Sequence, residues 1–431
     1  MIERYTMTEM GRLWSEERKL DRWLEVELAI VDALAAEGRI PADAAGRIRS
    51  KAAYDAHRVK DLEEVTKHDL LSFVESVGES LGEDSRYFHM GVTSSDVLDT
   101  GLALTIKDAS GLILEELGEV RKALARLAGT HRETLTVGRT HGMHAEPMSL
   151  AIKFAVWYND LGRAAARIEA ATGEVCVGKV SGAVGNYSYF PLEIEERALR
   201  TLGLGFERPT TQVVQRDRHA GYVCSLALAA SVMEKIAVEL RHLQRTEVAE
   251  AEEPFTEGQK GSSSMPHKRN PITLERITGL SRLVRAYALA AMENVALWHE
   301  RDISHSSVER VILPDATIAV HYMAGCLAGV LDGLVIDVES MRRNVEITGG
   351  LIYSQRLMLR LTEAGWTRKS AYEEVQRLAM KAREAVRTLK EQVLMDSRVV
   401  EALGRGEVDA VFDPAFYTKH TDRILREIGI D

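Results

Sequence analysis

Apolar residues recur along most of this chain at the three-to-four spacing of an α-helix rather than with the alternation of a strand. Leu20, Trp23, Leu24, Leu28, Val31 and Leu34 form the first stripe, and Gly38 and Pro41 supply a stop, so a helix is predicted from about Ser15 to Glu37. Leu98, Leu102, Ile113, Leu117, Val120, Leu124 and Leu127 form a longer stripe behind the capping-type run Thr93-Ser94-Ser95-Asp96. Similar stretches lie near 146–172, 217–250, 271–300 and 315–333, giving five helices well beyond the ~11-residue average. Of nine prolines, none falls between Pro41 and Pro147 or between Pro314 and Pro414, and proline is the residue that interrupts helices.

The segment 173–215 breaks this pattern. Gly173, Gly178, Gly182, Gly185, Pro191 and Pro209 punctuate short β-branched runs and read as loops or a hairpin, without the GxGxxG spacing of a nucleotide fold. The expected architecture is all-α: an N-terminal helical domain over 1–95, a central bundle of five long helices over 96–344, and a smaller helical domain over 345–431 opened by Gly349-Gly350. Long helices in a thin bundle leave apolar stripes that one chain cannot cover, so oligomerisation is expected.

Charge narrows the partners. The 431 residues carry 55 Lys+Arg against 65 Asp+Glu, a net charge of −10, which argues against an extended polyanion such as nucleic acid but leaves room for a small anionic ligand. The longest stretch free of Asp, Glu, Lys and Arg is the 16 residues Ala316 to Leu331, short of the ~20 that a bilayer span needs. Cys176, Cys224 and Cys326 have no close-spaced partners, and the first residues bear charge where a leader peptide is apolar. A cytoplasmic protein with no membrane partner is the expectation.

Two segments stand out chemically. Gly258-Gln-Lys-Gly-Ser-Ser-Ser-Met-Pro-His-Lys-Arg-Asn-Pro271 is rich in glycine and hydroxyls, then cationic, then helix-initiating. Asn270 can cap and Pro271 suits the first helical turn, and hydroxyls and cations at a helix N-terminus suit a carboxylate or phosphate. Gly138-Arg-Thr-His141-Gly-Met-His144-Ala-Glu-Pro147 precedes a predicted helix, and His141 is a candidate proton donor because imidazole titrates near neutral pH. A metal pair of His141 and His144 would need a third ligand, and none stands at diagnostic spacing. Thr66-Lys67-His68-Asp69, Gln212 with Gln215-Arg216-Asp217-Arg218-His219, and the run Trp298 to Arg310 are polar beyond the needs of solubility. Arg301, Ser306 and Arg310 could grip a phosphate. A solvated face would explain each of these groups taken alone.

Taken together the segments resemble the fumarase/aspartase superfamily, whose Gly-Ser-x-x-Met-x-x-Lys-x-Asn signature is matched by Gly261, Ser262, Met265, Lys268 and Asn270. Within it the chain is similar to the adenylosuccinate lyase family, with Arg4-Tyr5, Lys67-His68-Asp69, Arg139-Thr140-His141, Arg216-Asp217-Arg218-His219 and the Trp298–Ser307 run in that family's order. The resemblance implies a β-elimination that releases fumarate from adenylosuccinate, giving AMP, and from the succinyl-carboxamide ribotide of purine synthesis. No cofactor or metal is implied.

It further implies Ser263 as general base, with Ser262 and Ser264 as neighbouring hydroxyls, and His141 as general acid, with His68 orienting or charging it. Lys268, Asn270, Thr93 and Ser94 would hold the succinyl carboxylates. Arg4, Tyr5, Arg301, Ser306 and Arg310 would take the ribose-phosphate end, Lys67, His68 and Asp69 would line the site, and Gln212 would touch the substrate. Gly258 and Gly261 suit a mobile lid. The family's architecture implies a homotetramer with active sites shared between subunits.

Overall fold

A computed structural model describes residues 1–256, 258, 261 and 264–430. It is 69% helical with 5% strand, in keeping with the all-α expectation. The long stripes become the helices Ser94–Thr130, Leu150–Val175, Arg216–Leu243, Ile272–Glu293 and Ser304–Asp332. The chain divides into two compact units, one made of Met1–Glu119, Leu161–Glu234 and Arg276–Leu327, the other of Val120–Asp160, Lys235–Glu275 and Ala328–Asp431.

In the first unit the Ser15 hydroxyl accepts from the Arg18 N–H and starts the helix Glu16–Ala36, which ends at the predicted place. Its apolar face buries Leu20, Trp23, Ile30 and Leu34 against Phe73, Ile194, Ala198 and Leu199, and the Trp23 ring meets Phe73 edge-on at 5.7 Å. Each fully buried side chain of this size contributes roughly 1.5–3 kcal/mol. Part of that wall comes from Leu192–Leu202, a helix inside the stretch expected to be loops. Its glycine- and proline-rich flanks hid a short but strongly one-sided run, Ile194, Ala198, Leu199 and Leu202, with Pro191 before it and Gly203 in the left-handed region after it.

The helix Ser304–Asp332 also begins earlier than expected, because Pro314 lies inside it rather than before it. Asp302 secures the start, accepting from the Ser304 N–H at 2.8 Å and the Trp298 N–H at 2.7 Å, and one missing hydrogen bond at Pro314 does not end a helix so held. This helix is long and apolar enough to cross a membrane, but 67% of its apolar window is buried inside the protein, the mark of a core helix.

In the second unit, residues expected to open a helix form a hairpin instead: Leu135–Thr140 pairs antiparallel with Met143–Ser149 before Leu150–Val175 begins. Pro147 at a strand position and the β-branched Thr136 and Val137 outweigh the helical reading of residues 146–149. Val137 of the hairpin joins a core of Leu357, Leu361, Leu378, Val393, Val399 and Val408 from the C-terminal helices.

Candidate functional site

The predicted residues fall into two groups, one in each unit. In the second unit His141 and Gly142 are the two-residue turn of the hairpin, with Thr140 paired to Met143. Both have positive φ, 55° and 76°, as a type I′ turn requires, and such turns match the twist of the flanking strands. His141 is therefore held by backbone geometry at an exposed tip.

The stem of that hairpin is anchored by charge. Arg139 donates to both oxygens of the buried Glu250, at 2.9 and 2.6 Å, and Asn344 adds a third hydrogen bond to Glu250 at 2.8 Å. His144, two residues beyond the tip, is held below its usual pKa by burial first and by Arg139 second.

The signature segment lies in the same unit. The candidate base Ser263, with Ser262, lies outside the described residues. Lys268 is exposed, whereas Gly261 is buried, and a Cβ there would come within 2.0 Å of the Lys268 carbonyl oxygen. Asn270 does not cap the following helix. Its Nδ2 donates to the Gly261 carbonyl at 2.9 Å, while the first turn of Ile272–Glu293 is capped by Glu253, which accepts from the N–H groups of Thr273 at 3.0 Å and Leu274 at 3.2 Å. A carboxylate from the protein itself thus takes two of the first N–H groups of this helix.

In the first unit Lys67 ends the helix Ala56–Thr66 in the left-handed region, and His68 stands at the N-cap of Asp69–Leu81, its Nδ1 accepting from the Leu71 N–H at 3.3 Å. Lys67 reaches back to Glu64 at 3.0 Å. Asp69 accepts from Arg310 Nη2 at 2.6 Å. Burial works against its charge, yet the Leu70 N–H and Arg310 hold its carboxyl below the ordinary range. Arg301 donates to the Gln212 side-chain oxygen at 3.0 Å. Tyr5 packs on Tyr322 at 5.4 Å between ring centres, and Arg4 is exposed.

Thr93 and Ser94 stand at the start of Ser94–Thr130, and Asp96 fixes the Thr93 backbone. Its buried carboxylate accepts from the N–H groups of Thr93 at 2.9 Å and Ser181 at 3.0 Å and pairs with the fully buried Lys179.

Asp69, Arg301, Ser306 and Arg310 line one cavity of about 340 Å³ together with Trp14, Arg22, Asp99, Arg216, His305 and Glu309. Among the described residues, four buried nitrogens without a hydrogen-bond partner belong to residues of this wall: Trp14 Nε1, Arg22 Nε, Arg301 Nε and His305 Nδ1. Burying such groups without partners costs free energy. Trp14 and Arg22 were missed in the sequence because they flank the apolar stripe of the first helix, where polar residues look like an ordinary solvated edge.

Comparison with known proteins gives a consistent picture. A family model described as "Lyase" matches residues 4–286, and one described as "Adenylosuccinate lyase C-terminus" matches 350–428. Adenylosuccinate lyase of Thermotoga maritima is 50% identical over 425 residues, covering 99% of both chains. That of Aquifex aeolicus is 50% identical over 431 residues, also at 99% of both chains. Among solved structures, a fumarate lyase from Mesorhizobium sp. BNC1 superposes with a TM-score of 0.90 at 29% identity, covering 99% of both chains. The 3-carboxy-cis,cis-muconate lactonizing enzyme of Pseudomonas putida follows at 0.89 and 27%, covering 98% of this chain and 96% of that one.

Proposed function

Because this chain belongs to the adenylosuccinate lyase family of the fumarase/aspartase superfamily, we propose that it cleaves adenylosuccinate to AMP and fumarate, and the succinyl-carboxamide ribotide to its carboxamide and fumarate. The observation that carries the nucleotide end is the single cavity that Arg301, Ser306 and Arg310 line together. A substrate without a phosphate would have no use for two guanidinium groups and a hydroxyl gathered in one cavity, which favours this reading over argininosuccinate or malate chemistry.

The reaction removes a proton from a carbon beside a carboxylate and expels a nitrogen from the adjacent carbon. The carbon acid is weak, so negative charge that develops toward the carboxylate must meet placed donors. Lys268, with Thr93 and Ser94 at a helix start, supplies these in our reading. Ser263 takes the proton, and His141 hands one to the departing nitrogen, with His68 tuning it. A serine hydroxyl is a weak base and needs the cation of Lys268 to favour its alkoxide.

The chain assembles in this reading as a homotetramer that shares its active sites between subunits. Support comes from Leu283, Leu289 and Met292 of Ile272–Glu293, Leu228 of Arg216–Leu243 and Val311 of Ser304–Asp332, all large apolar side chains left exposed in the single chain. The deciding experiment is fumarate release from adenylosuccinate measured beside argininosuccinate and malate. Turnover of adenylosuccinate is expected, and turnover of the latter two alone would overturn the assignment.

A further inference from the structure

Behind the proposed phosphate grip lies a buried charge cluster to which no role has been given. Arg216 has five N–H donors, and all are used. Nε donates to Glu309 at 2.9 Å and Nη2 to Glu309 at 3.1 Å. Asp99 accepts from Nη1 at 2.7 Å and from Nη2 at 2.8 Å, and the Val214 carbonyl accepts the last, from Nη1 at 2.6 Å. Arg216, Asp99 and Glu309 are all buried. A guanidinium held on both edges by carboxylates has one orientation available, so the elements that supply the three side chains are locked in register.

Those elements carry the residues that face the ligand. Glu309 lies between Ser306 and Arg310 on the first turns of Ser304–Asp332. Asp99 also accepts from the Val214 N–H at 2.8 Å, which fixes the 212–216 segment, and Gln212 of that segment holds Arg301 at 3.0 Å. Ser306, Arg310 and Arg301 are thus each one or two links from the same guanidinium. A merely stabilising ion cluster buried this deeply is often replaceable by apolar side chains without loss. Its linkage to the phosphate-facing residues is what distinguishes this one.

We propose that Glu309 and Asp99 are positioning residues for phosphate recognition, acting through Arg216 to set where Arg301, Ser306 and Arg310 present their donors. This rests on the lyase reading above and deepens it. Both carboxylates are engaged by Arg216, and in this reading they act through it. Both are expected to affect affinity for the phosphate end and to leave the fumarate end alone.

The test measures inhibition constants for AMP, inorganic phosphate and fumarate, with KM and kcat for adenylosuccinate, in wild type, Glu309→Ala, Glu309→Gln and Arg216→Lys. In Glu309→Ala the constants for AMP and phosphate and the KM should rise about tenfold, with kcat lowered less than threefold and the fumarate constant within twofold of wild type. Glu309→Gln, which keeps an oxygen toward Arg216, should recover most of the loss. Arg216→Lys keeps the charge but cannot bridge both carboxylates, so it should show the same selective loss; it also serves should Glu309→Ala fail to fold. Equal losses for AMP and fumarate, or a fall in kcat alone, would overturn the proposal. Wild type without activity on adenylosuccinate would remove the lyase reading itself, whereas an active wild type with unselective variants removes only this inference.

Discussion

Asn270 donates a hydrogen bond from its side-chain nitrogen to the carbonyl oxygen of Gly261, 2.9 Å away, and so closes the signature segment on itself. The closure leaves no room at Gly261, where a Cβ would lie 2.0 Å from the Lys268 carbonyl oxygen and 3.1 Å from the Arg269 Cα. Gly261→Ala must therefore move the backbone that carries Lys268. Since misplacing a reacting group by about 1 Å costs about 100-fold in rate, kcat should fall by about that factor. The melting temperature should change little, because residues 264–269 are exposed. Steady-state fumarate release and thermal unfolding of the same preparation check both halves, and a fully active Gly261→Ala would contradict the close packing.

Glu250 is the buried partner that fixes the hairpin carrying His141. Removing one side of a buried, hydrogen-bonded ion pair costs about 3–5 kcal/mol, because the other charge is stranded. Glu250→Ala leaves Arg139 and Asn344 without their shared acceptor, so unfolding in denaturant should show a loss toward that range. If His141 is the acid, kcat should drop as well, since its turn sits on the loosened stem. Loss of stability with kcat intact would argue that the tip is positioned by something other than the Arg139–Glu250 pair.

Sites shared between subunits make a different kind of claim, one that mixing experiments decide. Ser263→Ala and His141→Ala proteins, each inactive alone, are expected to regain part of the activity after subunit exchange, because some sites would then draw an intact serine from one chain and an intact histidine from another. Exchange verified by mass spectrometry without recovered activity would rule out shared sites.

Helix periodicity made most of this fold legible, and it failed where a local signal was overridden. Leu20 to Leu34 repeats cleanly and its helix ends where Gly38 said it would. Pro314 misled, because a proline was taken as a boundary although Asp302 had already capped the helix upstream. The hairpin at 135–149 was hidden because a six- or seven-residue strand leaves too few alternations to compete with the long helix beside it. Of the candidate site residues named from motif and charge, Asp69, Arg301, Ser306 and Arg310 share a cavity. Residues that hold the candidates in place were not legible, since Glu250, Glu253 and Glu309 look in the sequence like any of the chain's acidic residues, and only burial gives them meaning.

Burial also gives the Glu309 cluster a pH signature. Glu309 is pushed up to about 7, by burial first and with the Asp99 carboxylate adding to it, against the pull of Arg216 and Arg301. A carboxyl raised in this way binds more protons folded than unfolded, so its contribution to stability is fully present below about 4.5 and is lost as pH rises through about 7. The neighbouring histidines act in the opposite sense. Burial, then Arg216, pushes His219 down to about 3 and His305 down to about 4, so their contribution is present above 6.5 and lost as pH falls through those values. Asp99, held low despite burial by Arg216, loses its contribution only in acid below 3.8. Between pH 6.5 and 8, Glu309 is thus the member of the cluster still titrating. Glu309→Gln mimics its protonated form at every pH, so the stability of wild type relative to this variant should fall by ~2 kcal/mol from pH 5 to pH 8. Denaturant unfolding of the two proteins at both pH values measures that difference, and parallel pH dependence would mean that Glu309 keeps one charge state across the range.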